Sequence, residues 1–265
     1  MNRLIMDTFQ NSNEKFVPYI MSCDPSYEAS IEIALAMQEA GVDAIEWGVP
    51  FSDPLADGPV IQEAGERARA AGGSLSKALE GMKEARKRGL TLPVVLFSYV
   101  NPILTLGNEV LIEQMKNAEI DGLIVPDLPF EESSELRELC RSASISLISL
   151  IAPSSKHRMK TICQLGDGFL YFVTSLGVTG TRESFSYELE NTLKEVTSYS
   201  KVPVLAGFGI STRDHVRFFQ TIADGVIVGS ALVRYIAERE KELTSSTKKE
   251  NALIEIKQFV QQLIS

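Results

Sequence analysis

Eight short apolar runs, each followed by a stretch with helical spacing, leave this chain few folds to choose from. They are F-V-P-Y-I-M from Phe16, D-A-I-E-W-G-V from Asp43, L-P-V-V-L-F-S-Y from Leu92, and Gly122 to Val125. The remaining four are I-S-L-I-S-L-I-A from Ile145, G-F-L-Y-F-V from Gly168, V-P-V-L-A from Val202 and D-G-V-I-V from Asp224. None alternates cleanly between apolar and polar, so both faces of each strand are expected to be covered, as in a parallel sheet wrapped by helices. Eight such βα units within 265 residues close naturally as an α/β protein of the (β/α)8 TIM-barrel class. An open, doubly wound sheet is the alternative, but the G-x-G-x-x-G turn that usually follows its first strand is absent.

Some segments lie outside the eight units. Leu4, Ile5 and Phe9 have helical spacing and predict an extra N-terminal helix lying over apolar surface. Extra helices are also expected after strand 2, over 60–71 and 75–88 with Gly72-Gly73 between them. After strand 3, Asn101-Pro102 leads into one helix reaching about Ala118. After strand 8, a charged break over 241–251 precedes a last helix with Leu253, Ile256, Val260 and Leu263 in register. The whole of 1–265 is expected to form a single barrel domain.

Composition narrows the function classes. A net charge of −9 argues against a nucleic-acid partner, whose phosphates call for a basic face. The opening M-N-R-L-I-M-D is too short an apolar run for a signal peptide, and no window approaches a membrane span. Cys23, Cys140 and Cys163 are odd in number, widely spaced and without C-x-x-C, so they read as reduced thiols. His157 and His215 fall in polar stretches and are expected at the surface. A soluble, cytoplasmic protein is the expectation, with no metal, since no His, Cys or Asp cluster has ligand spacing.

In a barrel of this kind the loops after the strands share one rim and carry the chemistry. Asp24, Glu46, Asp53, Asp57 and Asp127 all fall there. Glu46 is conspicuous, because a buried strand rarely accepts an unpaired carboxylate. Taken singly, each acid also has a structural reading: Glu46 paired with a cation of the barrel wall, Asp57 as a helix N-cap, Asp53 as a turn former. Gly207-Phe208-Gly209 and Gly229-Ser230 follow strands 7 and 8, where backbone N–H groups and a helix N-terminus can bind phosphate without a basic patch. The loop T-S-L-G-V-T-G-T-R-E-S-F-S after strand 6 is long and rich in small residues, the composition of a functional lid.

The stretch E-W-G-V-P-F-S-D-P-L-A-D-G-P-V-I-Q resembles the signature of the tryptophan synthase α-subunit family. So do F-V-P-Y-I-M-S-C-D-P, Y-V-N-P, D-G-L-I-V-P-D-L-P, G-V-T-G, G-F-G-I-S and D-G-V-I-V-G-S-A, in order along nearly the whole chain. The resemblance implies a barrel lyase that cleaves indole-3-glycerol phosphate to indole and glyceraldehyde 3-phosphate. It also implies an α2β2 assembly with a β subunit that carries pyridoxal phosphate, while this subunit holds no cofactor. Carried over by motif, Glu46 and Asp57 are the catalytic acids, and Thr179 is the partner of Asp57 on the mobile loop. Tyr171 is the active-site tyrosine, and Gly180, Gly209, Gly229 and Ser230 bind the phosphate. Tyr19, Phe97, Tyr99, Ile124 and Phe208 surround the indole ring. Contact with the β subunit is implied around Asp53-Pro54, with Asn101 and Pro129. The chain departs from the common pattern in reading T-S-L before G-V-T-G, where an arginine is usual, and in carrying Cys23, Trp47, Tyr19 and Phe97.

The implied reaction wants these residue types. Indole leaves as carbon only after its C3 is protonated, which places positive charge on the ring nitrogen. An ionised carboxylate at N1–H stabilises that charge, the part suited to Asp57. A carboxyl that both delivers a proton to C3 and removes one from the side-chain hydroxyl suits Glu46, whose strand-end burial favours the protonated form. A sibling phosphate-binding barrel of the synthase type should bring a lysine to the rim, and none occurs at the strand ends. A purely regulatory scaffold should lack the acid pair. A stand-alone indole-releasing lyase would keep the same residues.

Overall fold

The strands of the computed structural model, which describes residues 2–11, 14–155, 157–174, 187–207 and 209–265, form one parallel ladder. In chain order they are β1 (Lys15–Met21), β2 (Ile45–Gly48), β3 (Val94–Phe97), β4 (Gly122–Ile124), β5 (Ser146–Leu147), β6 (Ser149–Ile151), β7 (Leu170–Val173), β8 (Val204–Gly207) and β9 (Gly225–Val228). Their spatial order is β5-β4-β3-β2-β1-β9-β8-β7-β6. The two ends of that ladder are one stretch of chain. β5 pairs with β4 and β6 with β7, and only Ile148 separates them, its N–H donating to Leu123 O at 2.9 Å. The nine segments are therefore the eight strands of a closed barrel, with the fifth interrupted once.

Strand parity sorts the apolar side chains into two sets. Val17, Tyr19, Met21, Val95, Phe97, Tyr171, Leu205 and Ile227 pack together in the cluster that fills the barrel. Their neighbours in sequence, among them Phe16, Ile20, Trp47, Leu96, Phe172 and Val226, join the larger cluster beneath the surrounding helices. Trp47 belongs to this outer set, and its Nε1–H donates to Ala78 O at 3.0 Å, tying β2 to the helix Leu75–Lys87.

Additional elements close the ends. A 3-10 turn (Arg3–Ile5) and a short helix (Asp7–Gln10) precede β1, and they bury Leu4 and Phe9 in the interior cluster while Ile5 faces out. Phe9 meets Phe169 with ring centroids 6.2 Å apart. At the same end Asp121, just before β4, accepts from Arg3 N at 2.8 Å and Val94 N at 3.0 Å and pairs with Arg86 at 3.2 Å. Two helices follow β2, Pro59–Ala70 and Leu75–Lys87, and three follow β9: Ser230–Ala237, Glu240–Leu243 and Lys249–Ile264. The expected charged break over 241–251 thus holds a further helical turn. After β3 the single helix expected from sequence is two, Val100–Leu106 and Asn108–Asn117, because Gly107 adopts φ +91° between them. Among the described residues no helix is long and apolar enough to cross a membrane.

Candidate active site

The five rim acids separate into distinct roles. Asp24 is buried and takes a bidentate pair from Arg67, Nε at 2.9 Å and Nη2 at 2.8 Å. Asp127 accepts from Val100 N at 2.9 Å, starting the helix Val100–Leu106. Asp53 is exposed. Only Glu46 and Asp57 face a common cavity, whose walls include Tyr19, Phe97, Tyr171, Gly209, Gly229 and Ser230.

Glu46 is 2 % exposed and lies directly across the β1–β2 ladder from Tyr19. Its Oε2 is buried with no hydrogen-bond partner among the described residues. Burial pushes the Glu46 carboxyl up to about 8, and the Asp57 charge pushes in the same direction. An ion pair with the barrel wall, the structural reading of this residue, is not formed among the described residues.

Asp57 is also no helix cap. The helix Pro59–Ala70 is capped by Gly58, without a side-chain hydrogen bond and with Pro at its first turn. The loop carrying Asp57 is held by its own backbone, Asp57 N donating to Pro54 O at 3.0 Å, and by Gln62, whose Nε2 donates to Asp57 O at 2.8 Å. Burial raises Asp57 to about 7, against a hydrogen bond from Tyr99 that favours its ionised form. Burial thus raises both acids, and the Asp57 charge raises Glu46 further.

An aromatic wall surrounds the pair. Tyr19 meets Phe97 edge-on at 5.8 Å, Phe97 meets Tyr99 at 6.0 Å, and Phe51 stacks on Tyr99 at 5.3 Å. Tyr19 and Tyr171 can lie across the barrel because glycines face them. A Cβ at Gly48 would overlap the Tyr19 hydroxyl, and one at Gly207 would sit 2.6 Å from that of Tyr171. Burial raises both phenols far above their usual range. Gly209, in the left-handed region at φ +77°, and Gly229-Ser230, at the N-terminus of the helix Ser230–Ala237, form the opposite edge.

Most residues expected at the site therefore converge. Ile124 and Tyr99 are the exceptions, since neither is among the cavity's lining residues: Ile124 is buried in the barrel interior, opposite Phe97 on the β3–β4 ladder, and Tyr99 stands behind Phe97 with its hydroxyl at Ala56 N. Thr179, Gly180 and Phe208 lie outside the described residues. Gly58, Ile61, Ile210 and Ile227 line the cavity and were not expected. Ile61 lies one turn beyond Asp57, and Ile227 shares strand parity with Gly229, so spacing alone could have pointed to both. Among the described residues no three His, Cys, Asp or Glu side chains converge as metal ligands.

Two buried acids and a glycine edge around one cavity match the family indicated by the motifs. The family model for the tryptophan synthase alpha chain matches residues 6–263. The chain belongs to the tryptophan synthase alpha chain family. It is 46 % identical over 250 residues to the tryptophan synthase alpha chain of Halalkalibacterium halodurans, covering 94 % of each chain. The solved tryptophan synthase subunit alpha of Legionella pneumophila is similar at a TM-score of 0.85 and 33 % identity, covering 98 % of both chains. A chain from a structure of the tryptophan synthase α2β2 complex of Pyrococcus furiosus is similar at a TM-score of 0.85 and 35 % identity, covering 95 % of this chain and 98 % of that one. The tryptophan synthase alpha reaction is the cleavage of indole-3-glycerol phosphate, a carbon–carbon lyase step in tryptophan biosynthesis, and this is the chain's function. The alpha chain itself takes no cofactor.

Proposed function

We propose that Glu46 and Asp57 carry the retro-aldol cleavage, with Glu46 as the proton donor and acceptor and Asp57 as the carboxylate at the indole N1–H. The observation that supports this reading most is the pairing of two buried carboxyls on one cavity, where burial and the Asp57 charge both favour the protonated form of Glu46. Glu46 delivers its proton to the indole C3 and, once ionised, takes the proton of the side-chain hydroxyl as the carbon–carbon bond breaks. Asp57 stabilises the positive charge that C3 protonation places on the ring. Tyr19, Phe97, Tyr99 and Tyr171 form the apolar enclosure for the ring, and the motifs imply Ile124 and Phe208 as further apolar positions around it. Gly209, Gly229 and Ser230, with Gly180, hold the phosphate, whose binding energy serves positioning. Thr179 is the hydrogen-bond partner of Asp57 in the closed state.

The chain acts as one domain over 1–265, in the cytoplasm, within an α2β2 assembly whose β subunit holds pyridoxal phosphate. Leu55, on the loop with Asp53 and Pro54, and Leu104, on the helix Val100–Leu106 with Asn101, are strongly exposed at 90 % and 62 % and supply the apolar contacts for that partner. Indole release from indole-3-glycerol phosphate by the purified chain, alone and with a β subunit, tests the whole reading. Slow release that the partner accelerates and Glu46→Gln abolishes is the expected result. Release indifferent to the partner points to a stand-alone lyase, and undiminished release by Glu46→Gln removes the assigned acid.

A further inference from the structure

Arg234 stands on the helix Ser230–Ala237, one turn after Ser230. Residues four apart share a helix face, and helical side chains lean toward the N-terminus, so a long side chain at position 234 extends along the helix toward Ser230. A cavity of about 320 Å³ is lined by Arg234 with Ser211 and Glu238, and it shares Gly209, Ile210 and Ser230 with the catalytic cavity. Arg234 is exposed, and no hydrogen bond or ion pair engages its side chain among the described residues. Its neighbours are occupied differently. Glu238, the carboxylate of this cavity, pairs with Arg239 at 3.7 Å, and Arg239 in turn lies over the Tyr235 ring at 3.5 Å. The helix is thus anchored without Arg234, which leaves that guanidinium available at the glycine edge.

We propose that Arg234 is the side-chain cation of the phosphate site, drawing in the phosphate dianion of the substrate and holding it over the first turn of the Ser230–Ala237 helix. This rests on reading Gly209, Gly229 and Ser230 as the phosphate edge. Backbone N–H groups and the helix terminus supply only partial positive charge there. A chain of net charge −9 repels a dianion at long range, so a full positive charge beside the mouth raises both capture and retention. The fork geometry of arginine suits phosphate oxygens.

The test compares Arg234→Gln, Arg234→Lys and Ser230→Glu with the parent chain, in cleavage and in the reverse condensation. Arg234→Gln should raise KM for indole-3-glycerol phosphate and for glyceraldehyde 3-phosphate about tenfold, in keeping with loss of one charge-assisted hydrogen bond. KM for indole, which carries no phosphate, should stay unchanged, and kcat should fall far less than kcat/KM. Inhibition by inorganic phosphate should weaken by a similar factor, the salt dependence of kcat/KM should flatten, and Arg234→Lys should restore most of the loss. Unchanged KM and phosphate inhibition in a folded Arg234→Gln chain would overturn the proposal, as would an equal rise in KM for indole. Ser230→Glu places a carboxylate at the edge itself. If it weakens phosphate binding while Arg234→Gln does not, only the role of Arg234 falls; if neither variant does, the phosphate edge falls as well.

Discussion

Tyr99 and Asp57 approach each other from different βα loops: the tyrosine hydroxyl accepts from Ala56 N at 3.2 Å, next to Asp57 in the chain, and its proximity to the Asp57 carboxyl favours the ionised form. Burial disfavours that form. Tyr99→Phe should therefore raise the Asp57 pKa further and shift the acid limb of the pH–rate profile to higher pH. At pH 7, kcat should fall about tenfold, the worth of one hydrogen bond to a charged group. Recovery of the rate at higher pH separates this from a packing defect.

The parent pH profile should be a narrow bell. Activity needs Asp57 ionised, so it falls below about 7, and Glu46 protonated, so it falls above about 8. The two limbs belong to the coupled pair. Asp57→Asn removes the charge that raises Glu46, and the Glu46 carboxyl should then titrate at lower pH, as followed by its infrared carboxyl band. A band that titrates as in the parent chain would refute the coupling.

Glu46→Gln should reduce kcat roughly 10²–10⁴-fold, as expected for a positioned acid–base group. The same change should stabilise the fold at alkaline pH. With the folded pKa raised, the native chain binds the proton that the unfolded chain has already lost, so stability declines as pH climbs from the ordinary carboxylate range through about 8. Thermal melts should show the variant more stable than the parent above pH 8 and the two converging near pH 4.

Gly48→Ala should destabilise the chain by about 1–3 kcal/mol, the usual cost of overpacking, because the new methyl group meets the Tyr19 ring as well as its hydroxyl. Combining it with Tyr19→Ala should give a loss smaller than the sum of the two single changes. Strict additivity would show that the ring and the glycine do not interact.

Asp121→Ala acts at the opposite end of the barrel. It strands Arg86, whose side chain is 6 % exposed, and removes the acceptor of two backbone N–H groups. A loss of about 3–5 kcal/mol is expected, lowering Tm by about 10 °C, with kcat at 25 °C little altered.

The barrel was legible in the sequence because parallel strands need long apolar runs, and these runs are hard to mistake when eight repeat. For the same reason their inner and outer faces were not legible: Trp47 and Ile45 look no different from Val17 and Val95 until closure decides which way each points. Glu46 could be picked out as the one carboxylate inside such a run rather than at its start. Asp24 could not be told from Asp57, since what separates them is Arg67, forty-three residues beyond Asp24 and on another element. The Tyr99–Asp57 contact and the interruption at Ile148 arise from tertiary pairing, and no local pattern encodes either.

The alternation that places Glu46 inside the barrel and Trp47 outside also guards the pairing of β2. A slip of one residue against β1 would drive the carboxylate into the dry layer under the helices and the indole into the crowded mouth. Neither position tolerates its new occupant, so the acid assigned the proton transfers also penalises misregistered assembly while the barrel is closing. Replacing Glu46 with an apolar residue would then do more than silence the site: it would remove a check on how the sheet finds its partners.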